Sequence, residues 1–168
     1  MSDGLPGTPA FITGRVLDTE GRPVPGAVLD VWQADSDGLY EAQFTDIDEA
    51  RLRAKYEARQ DGSYCVRTIA PFGYTIPMDG PVGDLMARTD ISEYRPAHIH
   101  FLLDVPGHRR LITHLFVEGT AYLDTDVVFG VKDALIVGFE QQEGTSPTGE
   151  ALDVPFLVAR YDFVLQPD

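Results

Sequence analysis

The chain has 168 residues and carries 13 Lys+Arg against 27 Asp+Glu, a formal net charge of −14 at pH 7. The length suits one domain, 1–168, able to bury a real core, and the charge argues against nucleic-acid or anionic-membrane partners, which need a positive footprint. The single cysteine, Cys65, rules out an intrachain disulfide scaffold, and an N-terminus (MSDGLPGTPAF) with no basic or apolar segment, in a chain whose apolar runs are only a few residues long, leads to the expectation of a cytoplasmic protein without signal peptide or membrane span.

In chain order, Phe11–Leu17 is β-branched and apolar and reads as a strand ending in the turn Asp18-Thr19-Glu20-Gly21. Ala27–Trp32 reads as a second strand, and the connection through Pro23 and Pro25 suggests that the two are neighbours. Asp48–Ala58 is rich in helix formers, so propensity alone predicts a helix there. Asp61-Gly62 is a turn that leads into a strand at Ser63–Ile69. Ala97–Leu103 and Leu111–Glu118 are further strands, separated by Pro106-Gly107. Ala134–Phe139 and Pro155–Leu165 complete the set, and the polar, breaker-rich Glu140–Glu150 between them reads as an exposed loop. Strands at this spacing, with 16 Gly and 12 Pro supplying turns, predict an all-β sandwich or barrel.

The residues able to carry chemistry concentrate around Arg95-Pro96-Ala97-His98-Ile99-His100-Phe101. On a strand, His98 and His100 leave one face while Ile99, Phe101 and Leu103 line the other. Two such imidazoles can converge on one metal ion as neutral nitrogen ligands. Two polar histidines on an exposed strand face would look the same in sequence. All four histidines lie between Arg95 and Phe116. A zinc site would want a third ligand, for which Asp104, His108 and His114 are candidates, and a non-haem Fe(II) site would want two His and a carboxylate. Two loop segments stay outside both readings: Asp35–Tyr40 (DSDGLY) and Pro71–Pro77 (PFGYTIP), each carrying a tyrosine of the kind that usually packs or hydrogen-bonds.

Taken together, Gly26–Asp35 (GAVLDVWQAD), Gly38–Tyr40, Pro71–Tyr74 with Asp79–Pro81, Tyr94–Phe101 (YRPAHIHF) and Pro106–Arg109 strongly resemble the intradiol ring-cleavage dioxygenases, over nearly all of Gly14 to Leu165. The stretch Tyr122–Val131 (YLDTDVVFGV) is similar to the hydroxyquinol and chlorocatechol branches of that family more than to the catechol branch. The resemblance implies an all-β catalytic domain with a β-sandwich core, long loops and little helix. On that ground Asp48–Ala58 is expected to be largely extended, against its helical propensity.

The resemblance also implies a mononuclear Fe(III) held by Tyr40, Tyr74, His98 and His100, with Tyr74 and His98 axial and Tyr40 and His100 equatorial. Fe(III) is hard and triply charged, and a bound cation strips the proton from a phenol whose free pKa is about 10. By the same resemblance Tyr74 acts in catalysis as the phenolate released when substrate binds, and Arg95 stabilises developing charge near the substrate. The implied reaction joins a small-molecule catechol-type diol and O2, cleaving between the two hydroxylated carbons to a cis,cis-muconate-type dicarboxylate. Val127, where the catechol branch carries a larger aromatic, and His114, where it carries Gln, are the expected substrate-contacting positions, favouring hydroxyquinol or a substituted catechol. The chain starts almost at the first core strand, without the N-terminal helical region that joins subunits in the family, so no oligomeric state is expected from the resemblance. Two other functions fit the residues: a non-catalytic β-sandwich binding module, and a two-His hydrolase or cupin-like oxygenase that uses Asp104 or His114.

Overall fold

The inner faces of two β-sheets meet on alternating apolar residues, and the chain's strand pattern follows from that division. The computed structural model describes residues 1–2, 4–45 and 50–168, and among them it contains twelve strands and one α-helix. In the first sheet β1 (Pro9–Asp18) lies beside β4 (Ser63–Ile69), antiparallel, in the register Ile12↔Val66. Its other edge pairs in parallel with β11 (Ala151–Arg160) through Ala10–Thr13 and with β12 (Phe163–Leu165) through Val16–Asp18. The outermost strand is β10 (Glu140–Thr145), antiparallel to β11. The second sheet has the order β3 (Arg53–Glu57), β2 (Val28–Trp32), β7 (His98–Asp104), β8 (Leu111–Val117) and β9 (Ile136–Val137). A separate two-stranded ribbon pairs β5 (Tyr74–Thr75) with β6 (Tyr94–Arg95), and α1 (Pro81–Met86) lies between them in the chain.

The core between the sheets is built from Ile12, Val16, Val66 and Phe163 on one side and Leu29, Val31, Ile99, Phe101, Leu103 and Leu115 on the other. Phe101 and Phe163 meet across it, ring centroids 5.0 Å apart. Burying such side chains stabilises by about 1.5–3 kcal/mol each. The consequence for the site is positional. With Ile99, Phe101 and Leu103 committed to the core, the period of two sends His98 and His100 to the outer face of the second sheet. No helix among the described residues is long and apolar enough to cross a membrane.

Two expectations change. Phe11–Leu17 and Ala27–Trp32 are not neighbours in one sheet: β1 and β2 belong to opposite sheets, and the Pro23–Ala27 connection carries the chain across the core. Glu140–Glu150 is not a loop throughout. Residues 140–145 form the edge strand β10, and only the turn around Ser146–Glu150 is irregular, closed by the Ser146 amide donating to Glu150 O at 2.8 Å. This edge is exposed on both faces, so its sequence shows no apolar alternation. Of Asp48–Ala58, residues 48 and 49 lie outside the described residues. Of the remainder, Arg53–Glu57 is the strand β3, paired with β2 in the register Asp30↔Lys55, in line with the extended course the resemblance implies: sheet pairing overrides helix propensity. The helix α1 was not foreseen. It begins with Pro81 after Gly80, a favourable first-turn position.

Candidate metal centre

His98 and His100 rise from the outer face of β7 beneath the ribbon that holds Tyr74 and the turn that holds Tyr40. The turn is set by Asp35, whose Oδ1 accepts the amides of Asp37 and Leu39 at 2.9 and 3.0 Å. Gly38 then takes φ +81°, and a Cβ there would lie 2.5 Å from Tyr74 Cβ. A residue without a side chain is therefore needed for the Tyr40 turn to approach Tyr74.

The four side chains close a ring of donor atoms. The Tyr40 and Tyr74 hydroxyls share a hydrogen bond of 2.6 Å. Tyr40 Oη lies 2.9 Å from His100 Nε2, and Tyr74 Oη 3.4 Å from His98 Nε2. The two Nε2 atoms are 3.2 Å apart. Ligand atoms about 2 Å from a common first-row metal ion and at right angles to one another are separated by about 3 Å, so this spacing fits one ion.

The chemistry of the donor set agrees. His98 Nδ1 lies 2.7 Å from Pro96 O, which can only accept, so Nδ1 carries the proton and Nε2 presents a lone pair to the ring. Burial, and then the charge of Arg95, lowers the His98 pKa to about 4. Burial, and then His98, lowers His100 to about 2. Both imidazoles are thus neutral at pH 7, the form that binds metal. Burial, and then Tyr74, pushes the Tyr40 phenol far above its ordinary value, so a neighbouring cation is what would make it a phenolate. Two oxygens and two nitrogens of this kind suit a metal ion.

Arg95 comes from β6, opposite Tyr74 in register. Its Nε and Nη2 donate to Asp126 Oδ1 and Oδ2 at 3.0 and 3.3 Å, while Nη1 points at the ring and donates to His98 Nε2 at 3.0 Å. Burial opposes both charges, but their mutual hydrogen bonds win, lowering Asp126 and raising Arg95. Asp126 also accepts the Gly130 amide at 2.9 Å, which folds residues 126–130 over the site. A cleft of about 1040 Å³ opens above, walled by Gly38, Leu39, Tyr40, Tyr74, Arg95 and Val128.

The other expected residues fall in different places. His114 stands opposite His100 in register, ring centroids 4.4 Å apart. With His98 and His100 it forms a group whose ligand atoms lie within 4.8 Å of one another, yet its ring nitrogens make no hydrogen bond to the four donors. Val127 is buried, its amide donating to Tyr94 O, and the neighbouring Val128 is the residue on the cleft wall. Asp104 lies at the far end of β7, bound to Arg110 at 2.8 Å, so a set of two histidines plus Asp104 does not converge. His108 lies outside the histidine group, beside Pro167. Two residues were not singled out from sequence. Asp126 stands within the Tyr122–Val131 stretch, and a buried partner for a buried arginine was the available signal. Trp32 stacks on His100, which only the strand register reveals.

The family model described as Dioxygenase matches residues 1–167. The chain is 46% identical over 169 residues to a hydroxyquinol 1,2-dioxygenase of Nocardioides simplex, covering 99% of this chain and 57% of that protein. It is 42% identical to a 6-chlorohydroxyquinol 1,2-dioxygenase of Cupriavidus pinatubonensis, with 99% and 57% covered. Among solved structures, a hydroxyquinol 1,2-dioxygenase from Pseudomonas putida superposes with a TM-score of 0.92 at 41% identity, over 99% of this chain and 59% of that one. The chain therefore spans a little over half the length of these curated relatives. It belongs to the dioxygenase family that contains the hydroxyquinol and catechol 1,2-dioxygenases.

Proposed function

We propose that this member of the dioxygenase family is an Fe(III)-dependent intradiol enzyme that cleaves a catechol-type diol with O2, favouring hydroxyquinol or a substituted catechol. The observation that carries the reading is the closed ring of two phenol oxygens and two imidazole nitrogens, with contacts of 2.6 to 3.4 Å. Tyr40, Tyr74, His98 and His100 would hold the ion. Bound there, Fe(III) would supply the charge that ionises the phenols and the electron-accepting centre that activates a catechol towards O2.

The remaining steps belong to the chain's own side chains. Tyr74, on the cleft wall, takes a proton from a substrate hydroxyl at its Oη. Tyr40, on the same cleft wall, is bonded to His100 and stays in place. His98 is kept in one tautomer by Pro96 O, so its lone pair always faces the site. Arg95 uses Nε and Nη2 on Asp126 and keeps Nη1 for negative charge that develops on the substrate. Both atoms of O2 enter the product, a cis,cis-muconate-type dicarboxylate, so no external reductant is needed. The likeness to hydroxyquinol and chlorohydroxyquinol 1,2-dioxygenases, and the small Val128 on the cleft wall, support the substrate preference. A single apolar contact discriminates by about 1–3 kcal/mol, so the preference is graded.

The test is a steady-state panel of catechol, 4-chlorocatechol, hydroxyquinol and protocatechuate on the iron-loaded protein, with products identified by mass. Ring-opened diacids containing both oxygen atoms of labelled O2, and the highest kcat/KM for hydroxyquinol or the chlorocatechol, are expected. Products with one labelled atom would overturn the chemistry. A clear preference for plain catechol or protocatechuate would overturn the substrate reading alone.

A further inference from the structure

His98 and His100 face the same ring of donors but are held in different ways. His98 has its outer nitrogen on Pro96 O and its Nε2 on Arg95. The hydrogen bonds of His100 all run from Nε2, to Tyr40 and His98, and its Nδ1 makes none among the described residues. A histidine meant to ligate a metal almost always has its outer nitrogen fixed by a carboxylate, a carbonyl or water, because that bond sets the ring orientation. No carbonyl or carboxylate among the described residues fixes the outer nitrogen of His100 in that way, so the orientation of its ring about the Cβ–Cγ bond depends on a packing partner.

The register of the second sheet supplies it. Arg53, Trp32, His100 and His114 are consecutive cross-strand partners on β3, β2, β7 and β8. The Trp32 indole lies flat on the His100 imidazole, ring centroids 4.9 Å apart and planes within 5°. His114, on the opposite side, is tilted by 57° and offers no such parallel cover. On its other flank Trp32 meets the Arg53 guanidinium, 5.3 Å from the indole centroid. Arg53 is itself tied to Asp30 at 3.0 Å and lies 3.9 Å from Glu41. A flat ring clamped between a β7 neighbour and a tethered cation has little freedom, and a cation over the larger indole face adds attraction. Rotation of His100 about its Cβ–Cγ bond would break the parallel stack and carry Nε2 away from Tyr40.

We propose that Trp32 is a positioning residue for the metal centre: stacked on His100 and backed by Arg53, it holds the imidazole ring in place and keeps Nε2 aimed at the donor ring. The proposal rests on the reading that Tyr40, Tyr74, His98 and His100 hold a metal.

Two variants and two readouts test it. Trp32→Leu removes the flat face, and Trp32→Phe keeps one. Crystal structures of the metal-free proteins report the ring. In Trp32→Leu the His100 imidazole is expected to leave the contact with Tyr40, while His98 stays on Pro96 O; in Trp32→Phe both rings stay. The iron-loaded proteins are then challenged with excess chelator and followed by loss of visible absorption. Trp32→Leu is expected to bind iron about 10–100-fold more weakly, with Trp32→Phe near wild type. An unmoved His100, or iron held as tightly in Trp32→Leu as in wild type, overturns the proposal. Equal iron loss in Trp32→Phe and Trp32→Leu also overturns it, since that pattern reports loss of bulk and not of stacking. Failure of the wild-type protein to take up iron would instead defeat the metal reading, and the metal-free structures would still decide whether Trp32 orients His100.

Discussion

Arg95 and Asp126 are joined by two hydrogen bonds, Nε to Oδ1 at 3.0 Å and Nη2 to Oδ2 at 3.3 Å, with side chains only 7% and 2% exposed. The pairing turns one face of the guanidinium into a fixed mount and leaves Nη1 for the site. Breaking a buried pair from one side strands the other charge, at a cost of about 3–5 kcal/mol. Asp126→Ala is therefore expected to lower stability by that amount in urea unfolding, and to lower turnover as Arg95 loses its orientation. Arg95→Leu is expected to keep iron and colour while kcat falls by about 10²–10³-fold, the usual cost of removing one charge-stabilising donor. Near-normal turnover in Arg95→Leu would confine this arginine to a structural role.

Gly38 allows a second, sharper comparison. Gly38 and Gly21 share a left-handed backbone, φ +81° and +78°, but a Cβ at Gly38 would meet Tyr74 Cβ at 2.5 Å and one at Gly21 would meet nothing within 4 Å. Gly21→Ala should cost only the left-handed strain, about 1–2 kcal/mol. Gly38→Ala adds the clash and should also displace Tyr74, so iron content per chain falls. Full iron content in Gly38→Ala would mean that the Tyr40 turn does not need this close approach.

The metal-free protein should weaken in acid. The unfolded chain titrates its histidines near pH 6.5, whereas burial holds His98 at about 4 and His100 at about 2. Below pH 6.5 the unfolded chain binds protons that the folded one refuses. The contribution is thus complete above that pH and falls as the pH drops towards 4, by up to about 1.4 kcal/mol per pH unit for each histidine. Asp126, with a lowered pKa, loses its contribution at still lower pH. Urea midpoints of the apo protein at pH 7 and pH 5 measure the effect, and His98→Gln should flatten it. A wild-type midpoint that does not move between these values would show that the imidazoles are not held neutral.

Which parts were legible in the sequence depends on whether the signal was local. The alternation of His98 and His100 with Ile99, Phe101 and Leu103 is a property of one strand, so its two faces could be read directly. Tyr40 lies in a turn and Tyr74 in the short ribbon strand β5, 34 residues apart in sequence, and only family resemblance brought them forward. Partners set by register stayed hidden: Trp32 meets His100 because β2 pairs with β7, and Asp126 meets Arg95 because a turn folds back over β6. The edge strand β10 was misread because exposure on both faces removes the apolar period. The β1–β2 pairing failed because a short proline-bearing connection can cross a sandwich as well as close a hairpin.

The central claim is that two phenols and two imidazoles form one ferric site, and metal analysis combined with visible absorption tests it most directly. Wild-type protein purified with iron present should contain about one iron per chain and show the broad red charge-transfer band of tyrosinate on Fe(III). In His98→Ala and in His100→Ala both iron and colour should be lost together, since each removes one of the four donors around the 3.2 Å nitrogen pair. A colourless protein containing mainly zinc, or either histidine variant retaining full iron and colour, would contradict the account.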